Sequence, residues 1–279
     1  MNEYPPITSH LDKQRVDWLR YCDWGRFVPI LYVSTTGGMA NRILGLASCI
    51  AKATLEKRVL VTYWPLNGGD GTSVKWEDIF VDKIHLFSEW DLYWLMDIMH
   101  EVKWYDTPIS AYSQVDTNNL VVMKSTYDFF MDLNRGHPAF DHSLALHWLK
   151  SLKIQPSILE QTEAFGLKAH TLGVHLRVGE AKFSDNLFVH DPITPELCDR
   201  VKRWPGEVLV VSNCEASKLK LKAMFPEKVI MQKNIKHDRT SEGTQSAMVD
   251  LLLLSKCEER IGNNNSTFFK LANYWAKNS

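Results

Sequence analysis

The stretch Thr36-Gly-Gly-Met-Ala-Asn-Arg42 has the residue types of a ligand-holding turn. Glycine tolerates positive φ and lets bare backbone N–H groups approach a bound group closely. The apolar run Val28–Val33 before it reads as a buried strand, and Ile43–Ala53 after it as a helix. Strand, glycine turn and helix together set a helix N-terminus beside an anion. Asn41 and Arg42 are expected to project from the first helical turn. The competing reading is a tight turn that holds nothing. The dinucleotide fingerprint GxGxxG is absent, and no Gly-Lys-Ser/Thr follows to make a P-loop.

His175-Leu-Arg-Val-Gly-Glu180 ends a second apolar run. Side chains alternate along a strand, so His175 and Arg177 share a face. An arginine fork makes charge-assisted, bidentate bonds to a pyrophosphate and stays charged at any working pH. Glu180, Asp185 and Asp191 follow with His190, a supply of carboxylates for proton transfer. Ser212 and Asn213 close another strand, where they cap the next helix or contact a ligand. Ser266-Thr267-Phe268 opens a helix after three asparagines, again a place for hydroxyls and amides beside phosphate oxygens. Asp250 interrupts an apolar helix and needs a partner. It binds the ligand or orients Arg177. There is no DxD run at a strand end, no HxH and no HExxH, so no metal is expected.

The chain of 279 residues is 45% hydrophobic and 23% charged, with a net charge of -1. This is a globular composition without the basic excess of a nucleic-acid or membrane-surface binder. Five scattered cysteines without CxxC spacing read as free thiols in a reducing compartment, and a cytoplasmic location is expected. Neither a signal-peptide pattern nor an 18-residue apolar run occurs, so no membrane span is expected. Ten tryptophans is a high count. Trp64, Trp76, Trp90, Trp94 and Trp104 cluster, for core packing or for stacking on sugar rings.

Elements must position these groups. A short helix is expected near 12–21, then strand 29–34, helix 40–55 and strand 58–63, a βαβ unit that implies parallel strands. A loop at 67–71, a short helix at 75–80, a strand at 120–124 and helices at 143–152 and 156–164 follow. A second series has strands at 172–177, 207–212, 228–231 and 260–261. Its helices fall at 195–204, 215–225, 245–257 and 266–277, the first capped by Thr194 with Pro195 at its start. The alternation predicts two doubly wound α/β domains, 1–165 and 166–279, the terminal helix crossing back. Ligands bind at the carboxyl ends of such strands, where all the polar turns fall.

Taken in order, these motifs resemble the fucosyltransferase superfamily, which includes α1,2-, core α1,6- and protein O-fucosyltransferases. Gly37-Gly-Met-Ala-Asn-Arg42 is similar to its Gly-Gly-x-x-Asn-Gln/Arg loop, and His175–Glu180 to its His-x-Arg-x-Gly-Asp motif with Glu for Asp. Val210–Asn213 falls at its Ser/Thr-Asp strand end, and Asp250–Ser255 through Ser266–Phe268 resembles its closing block. The resemblance implies a GT-B fold, two Rossmann-like domains across a cleft, and metal-independent, inverting transfer from a nucleotide sugar to a glycan hydroxyl. GDP-fucose is the implied donor, with UDP-xylose or another donor open. Residues implied at the nucleotide sugar are Gly38, Asn41, Arg42, His175, Arg177, Ser212, Asn213, Asp250, Ser266, Thr267 and Phe268. Arg177 would stabilise the leaving diphosphate. Asp185 lies where core α1,6 members carry a carboxylate base, with Glu180 and Asp191 as rivals. The alternative is a non-catalytic nucleotide- or glycan-binding protein on the same fold.

Overall fold

Two apolar strands, Ile30–Thr35 (β1) and Leu172–Leu176 (β5), sit at the centres of two separate parallel sheets. Both are buried nearly throughout, as strands covered on both faces must be. The computed structural model describes residues 29–35, 37–64, 66, 73–84, 86, 102–105, 120–125, 142–178, 192–233 and 240–276. The helix expected near 12–21 and the loop at 67–71 lie outside them.

In the first sheet β1 leads through helix α1 (Met39–Leu55) to β2 (Val59–Tyr63). Strands β3 (Val102–Tyr105) and β4 (Leu120–Ser125) complete it in the order β2-β1-β4-β3. Helices α2 (His142–Ser151) and α3 (Pro156–Ala164) follow. The second sheet runs β7-β6-β5-β8, with β6 at Val208–Ser212, β7 at Val229–Ile230 and β8 at Glu259–Gly262. Its helices are α4 (Pro195–Arg203), α5 (Glu215–Met224), α6 (Ser241–Lys256) and α7 (Thr267–Trp275). Every pairing is parallel. The protein is therefore an α/β protein with parallel sheets, as the alternating elements predict.

Two details differ from expectation. Strand β3 was not anticipated, because Val-Lys-Trp-Tyr is short and carries a charge. Helix α6 starts at Ser241 rather than Gln245, because Thr240 caps it by accepting from the Gly243 N–H at 3.1 Å.

Alternation splits the second sheet into two faces. Val208 and Val210 face a cluster with Leu197, Val201 and Leu221 of α4 and α5. Leu209 and Val211 face α6 and α7, and that core continues without a break into α1, α2 and α3. The Trp275 indole donates to the Leu149 carbonyl at 2.7 Å, tying the end of α7 to α2. Ser241 of α6 donates to Asp78, between β2 and β3, at 3.0 Å.

Candidate active site

Topology selects the crevice. From β5 the chain moves to β6 and β7 on one side and returns to β8 on the other. Ligands of open parallel sheets settle outside the carboxyl ends of strands at such a reversal. For β5 and β8 those ends carry Arg177 and Asn263–Thr267. The first sheet reverses in the same way between β1 and β4, with Gly37-Gly38 at the end of β1.

His175 lies on the β5 face that α7 covers. It is 6% exposed and stacks on Phe268 at 5.4 Å and Phe269 at 5.9 Å between ring centres. The fit is close: a Cβ on Gly262 of β8 would meet Phe269 at 2.7 Å and the His175 Cβ at 3.0 Å. Burial, aided by the Arg177 charge, pulls the imidazole pKa down to about 3, so the ring is neutral. Its Nδ1 is buried with no hydrogen-bond partner among the described residues. A buried polar atom in that state is costly and is satisfied by whatever polar group enters. Arg177, half-buried, shares this face one pleat on.

Ser266 is the N-cap residue of α7, buried, and its side chain makes no capping hydrogen bond. Thr194 and Thr240, by contrast, accept from helix amides at the starts of α4 and α6. The turn before Ser266 is held by its own N–H on the Asn263 carbonyl and by the Asn265 N–H on Asn263 Oδ1. Thr267 opens the helix and Phe268 follows against His175.

Ser212 and Asn213 organise the neighbouring turn. Ser212 Oγ accepts from the Cys214 N–H at 3.0 Å, and Cys214 is the residue that caps α5. The Asn213 amide bonds both the N–H and the carbonyl of Val178, at 3.0 and 2.9 Å. Asp250 is buried, and the partner it needs is Gln232, whose Nε2 donates to Oδ1 at 2.6 Å. Burial raises its carboxyl pKa to about 7, opposed by the nearby Lys218 charge and the Gln232 bond. Lys218 is itself buried and its pKa is lowered by that burial.

The glycine turn keeps its arginine inside the fold. Gly37 has φ +83°, a left-handed conformation, with the Asn41 amide 3.0 Å from where a Cβ would stand. Gly38 is exposed, with open space beside it. Arg42, expected to reach toward a ligand, is fully buried. Its Nε donates to the Gly37 carbonyl at 2.9 Å and its guanidinium lies over Trp64 at 5.1 Å. Its place inside the fold has a simple cause: position 42 falls on the helix face that packs inward.

Trp64 and Trp76 are core residues, edge to face at 5.4 Å, each with its indole N–H on a backbone carbonyl. They are packing residues, not a sugar platform. Trp90 and Trp94 lie outside the described residues, as do Glu180, Asp185, His190 and Asp191. Among the described residues no group of His, Cys, Asp and Glu is placed to hold a metal ion. Cys49, Cys198, Cys214 and Cys257 are free thiols. No described helix is long and apolar enough to cross a membrane.

Compared by sequence, the chain matches no protein-family model and no curated protein. Its fold does find counterparts. The NodZ α-1,6-fucosyltransferase co-crystallised with GDP superposes with a TM-score of 0.62 at 13% identity, over 88% of this chain and 92% of that one. NodZ from Bradyrhizobium in selenomethionine form gives 0.61 at 14% identity, over 88% and 91%. A variant of Arabidopsis thaliana FUT1 in complex with GDP gives 0.59 at 16% identity, over 95% and 73%. The fold of this chain, two parallel sheets with polar turns at their carboxyl ends, is thus that of the fucosyltransferases its ordered motifs resemble.

Proposed function

We propose that the protein is a glycosyltransferase that moves a sugar from a nucleotide-sugar donor to a glycan hydroxyl. The observation that carries this reading is the buried Nδ1 of His175, without a hydrogen-bond partner among the described residues. Its ring stacks on Phe268 at the start of α7 and precedes Arg177 by two residues, at the reversal between β5 and β8. A diphosphate supplies acceptor oxygens for the Ser266 hydroxyl, the helix N-terminus and the guanidinium. GDP-fucose is the favoured donor, because similarly folded NodZ and FUT1 structures hold GDP, and one NodZ structure was soaked with GDP-fucose.

In this reading residues 166–279 form a Rossmann-like domain that holds the nucleotide. Residues 1–165 form a second that holds the acceptor, with Gly38 and Asn41 facing a cleft in the GT-B manner. The acceptor oxygen attacks the anomeric carbon while a carboxylate takes its proton, and the bond to the diphosphate oxygen breaks with inversion. Asp185 is the proposed base, with Glu180 and Asp191 as alternatives. Arg177 neutralises the charge that develops on the leaving diphosphate, so the transfer runs without a metal.

A melting screen with GDP, UDP, GDP-fucose, UDP-xylose and NAD, with and without EDTA, tests the reading. A ligand that binds the native state raises the melting temperature. A shift with GDP that survives EDTA, followed by transfer from GDP-fucose to a glycan mixture, is the expected result. A shift with UDP alone redirects the donor. No shift with any nucleotide defeats the proposal.

A further inference from the structure

The two glycines of the first turn are costly to order, since glycine loses more freedom on ordering than any other residue. Gly37 is held in the left-handed region, and Gly38, the N-cap of α1, has no side chain to cap it. A productive turn needs something to fix it.

We infer that Arg42 is a positioning residue, whose guanidinium, clamped on the Trp64 ring, fixes the Gly37 carbonyl and so sets the turn that presents Asn41 and the start of α1. Two groups of Arg42 reach the two glycines: its backbone N–H bonds the Gly38 carbonyl at 3.2 Å and its Nε the Gly37 carbonyl at 2.9 Å. The first is the opening rung of the helix. The second is a charge-assisted bond that crosses under the turn. The platform beneath is buried and anchored. Trp64 is 6% exposed, anchored by its own N–H on the Val74 carbonyl at 2.9 Å and braced by Trp76. A planar guanidinium can stack and donate sideways at once, and an ammonium cannot. Arg42 thus acts on a ligand through Gly37. Its consequence for transfer rests on the glycosyltransferase reading, with the turn on the acceptor side.

The test separates the two. Amide hydrogen exchange is followed in Arg42→Ala, Arg42→Lys and Trp64→Leu, alongside transfer kinetics and the GDP-induced melting shift. In Arg42→Ala the amides of residues 42 to 45 should exchange about tenfold faster, the effect of losing one charge-assisted hydrogen bond, while the second sheet keeps its protection. Arg42→Lys should recover part of the protection, and Trp64→Leu should loosen the same amides if Arg42→Ala proves too unstable to study. The acceptor KM should rise about tenfold with the GDP shift unchanged, because the nucleotide half is untouched. Wild-type exchange at residues 42 to 45 in both Arg42→Ala and Trp64→Leu overturns the inference. If the wild-type protein shifts with no nucleotide and transfers no sugar, the glycosyltransferase reading fails, and exchange alone still decides whether Arg42 sets the turn.

Discussion

Asn213 holds both backbone polar groups of Val178: Oδ1 accepts from the Val178 N–H at 3.0 Å and Nδ2 donates to its carbonyl at 2.9 Å. The residue so gripped directly follows Arg177. The loop after β6 therefore sets where β5 ends and where the guanidinium starts.

Replacing Asn213 with Asp keeps the acceptor but turns the donor into a second acceptor facing a carbonyl. We expect a loss of about 1 kcal/mol and a melting temperature lower by about 2–4 °C. Weaker GDP binding should accompany it. Scanning calorimetry and titration with GDP measure both. Unchanged affinity would show that Val178 does not hold Arg177 in place.

Arg177→Ala should abolish the nucleotide-induced melting shift and any transfer, with the ligand-free melting temperature altered far less. Arg177→Lys keeps the charge but not the fork, and should bind about tenfold more weakly than the wild type. Wild-type activity in Arg177→Ala would remove the residue from the mechanism.

Asp250 and His175 should pull stability in opposite directions as pH changes. The Asp250 pKa rises on folding from 3.8 to about 7, so its contribution is present at low pH and fades as pH rises toward 7. The His175 pKa falls from 6.5 to about 3, so its contribution is present above 6.5 and fades as pH drops. Between about pH 4 and 6.5 the two offset each other. Asp250→Asn should therefore lose more stability on acidification than the wild type, and His175→Phe less. Melting temperatures from pH 4 to 8 give the slopes. Parallel slopes for all three proteins would refute the assignment.

Gly262→Ala should destabilise the protein by about 1–3 kcal/mol, because its methyl would overlap the Phe269 ring and crowd His175. Both contacts belong to the candidate site, so nucleotide affinity should fall with stability. Alanine at Gly38, where nothing stands within 4 Å, should be far milder. Denaturant melts of the two variants make the comparison.

Strands β1, β5 and β6 were legible because a strand covered on both faces must be an unbroken apolar run. The carboxyl-end turns were legible for the same reason, since the polar residues begin where burial stops. Val102–Tyr105 was hidden because four residues with a lysine among them carry no period. The first turn of α6, Ser-Glu-Gly-Thr, reads as loop until the Thr240 cap is seen. The packing of Arg42 was out of reach: a helix-start arginine beside a glycine turn reads as a ligand contact, and its seat over Trp64 shows only in the fold. The same holds for Asp250, whose need for a partner was plain while Gln232 and Lys218 were not.

Helix α7 begins at the candidate phosphate turn and ends with Trp275 bonded to Leu149 of α2. Nine residues span only about 13 Å, too short to bend appreciably. It therefore behaves as a strut: whatever displaces Ser266 at one end must move the Trp275 anchor at the other. Opening the cleft we propose as a free hinge would tear that anchor and split the shared core. We therefore expect any motion between the two sheets to be a small slide of helix past helix rather than a free hinge.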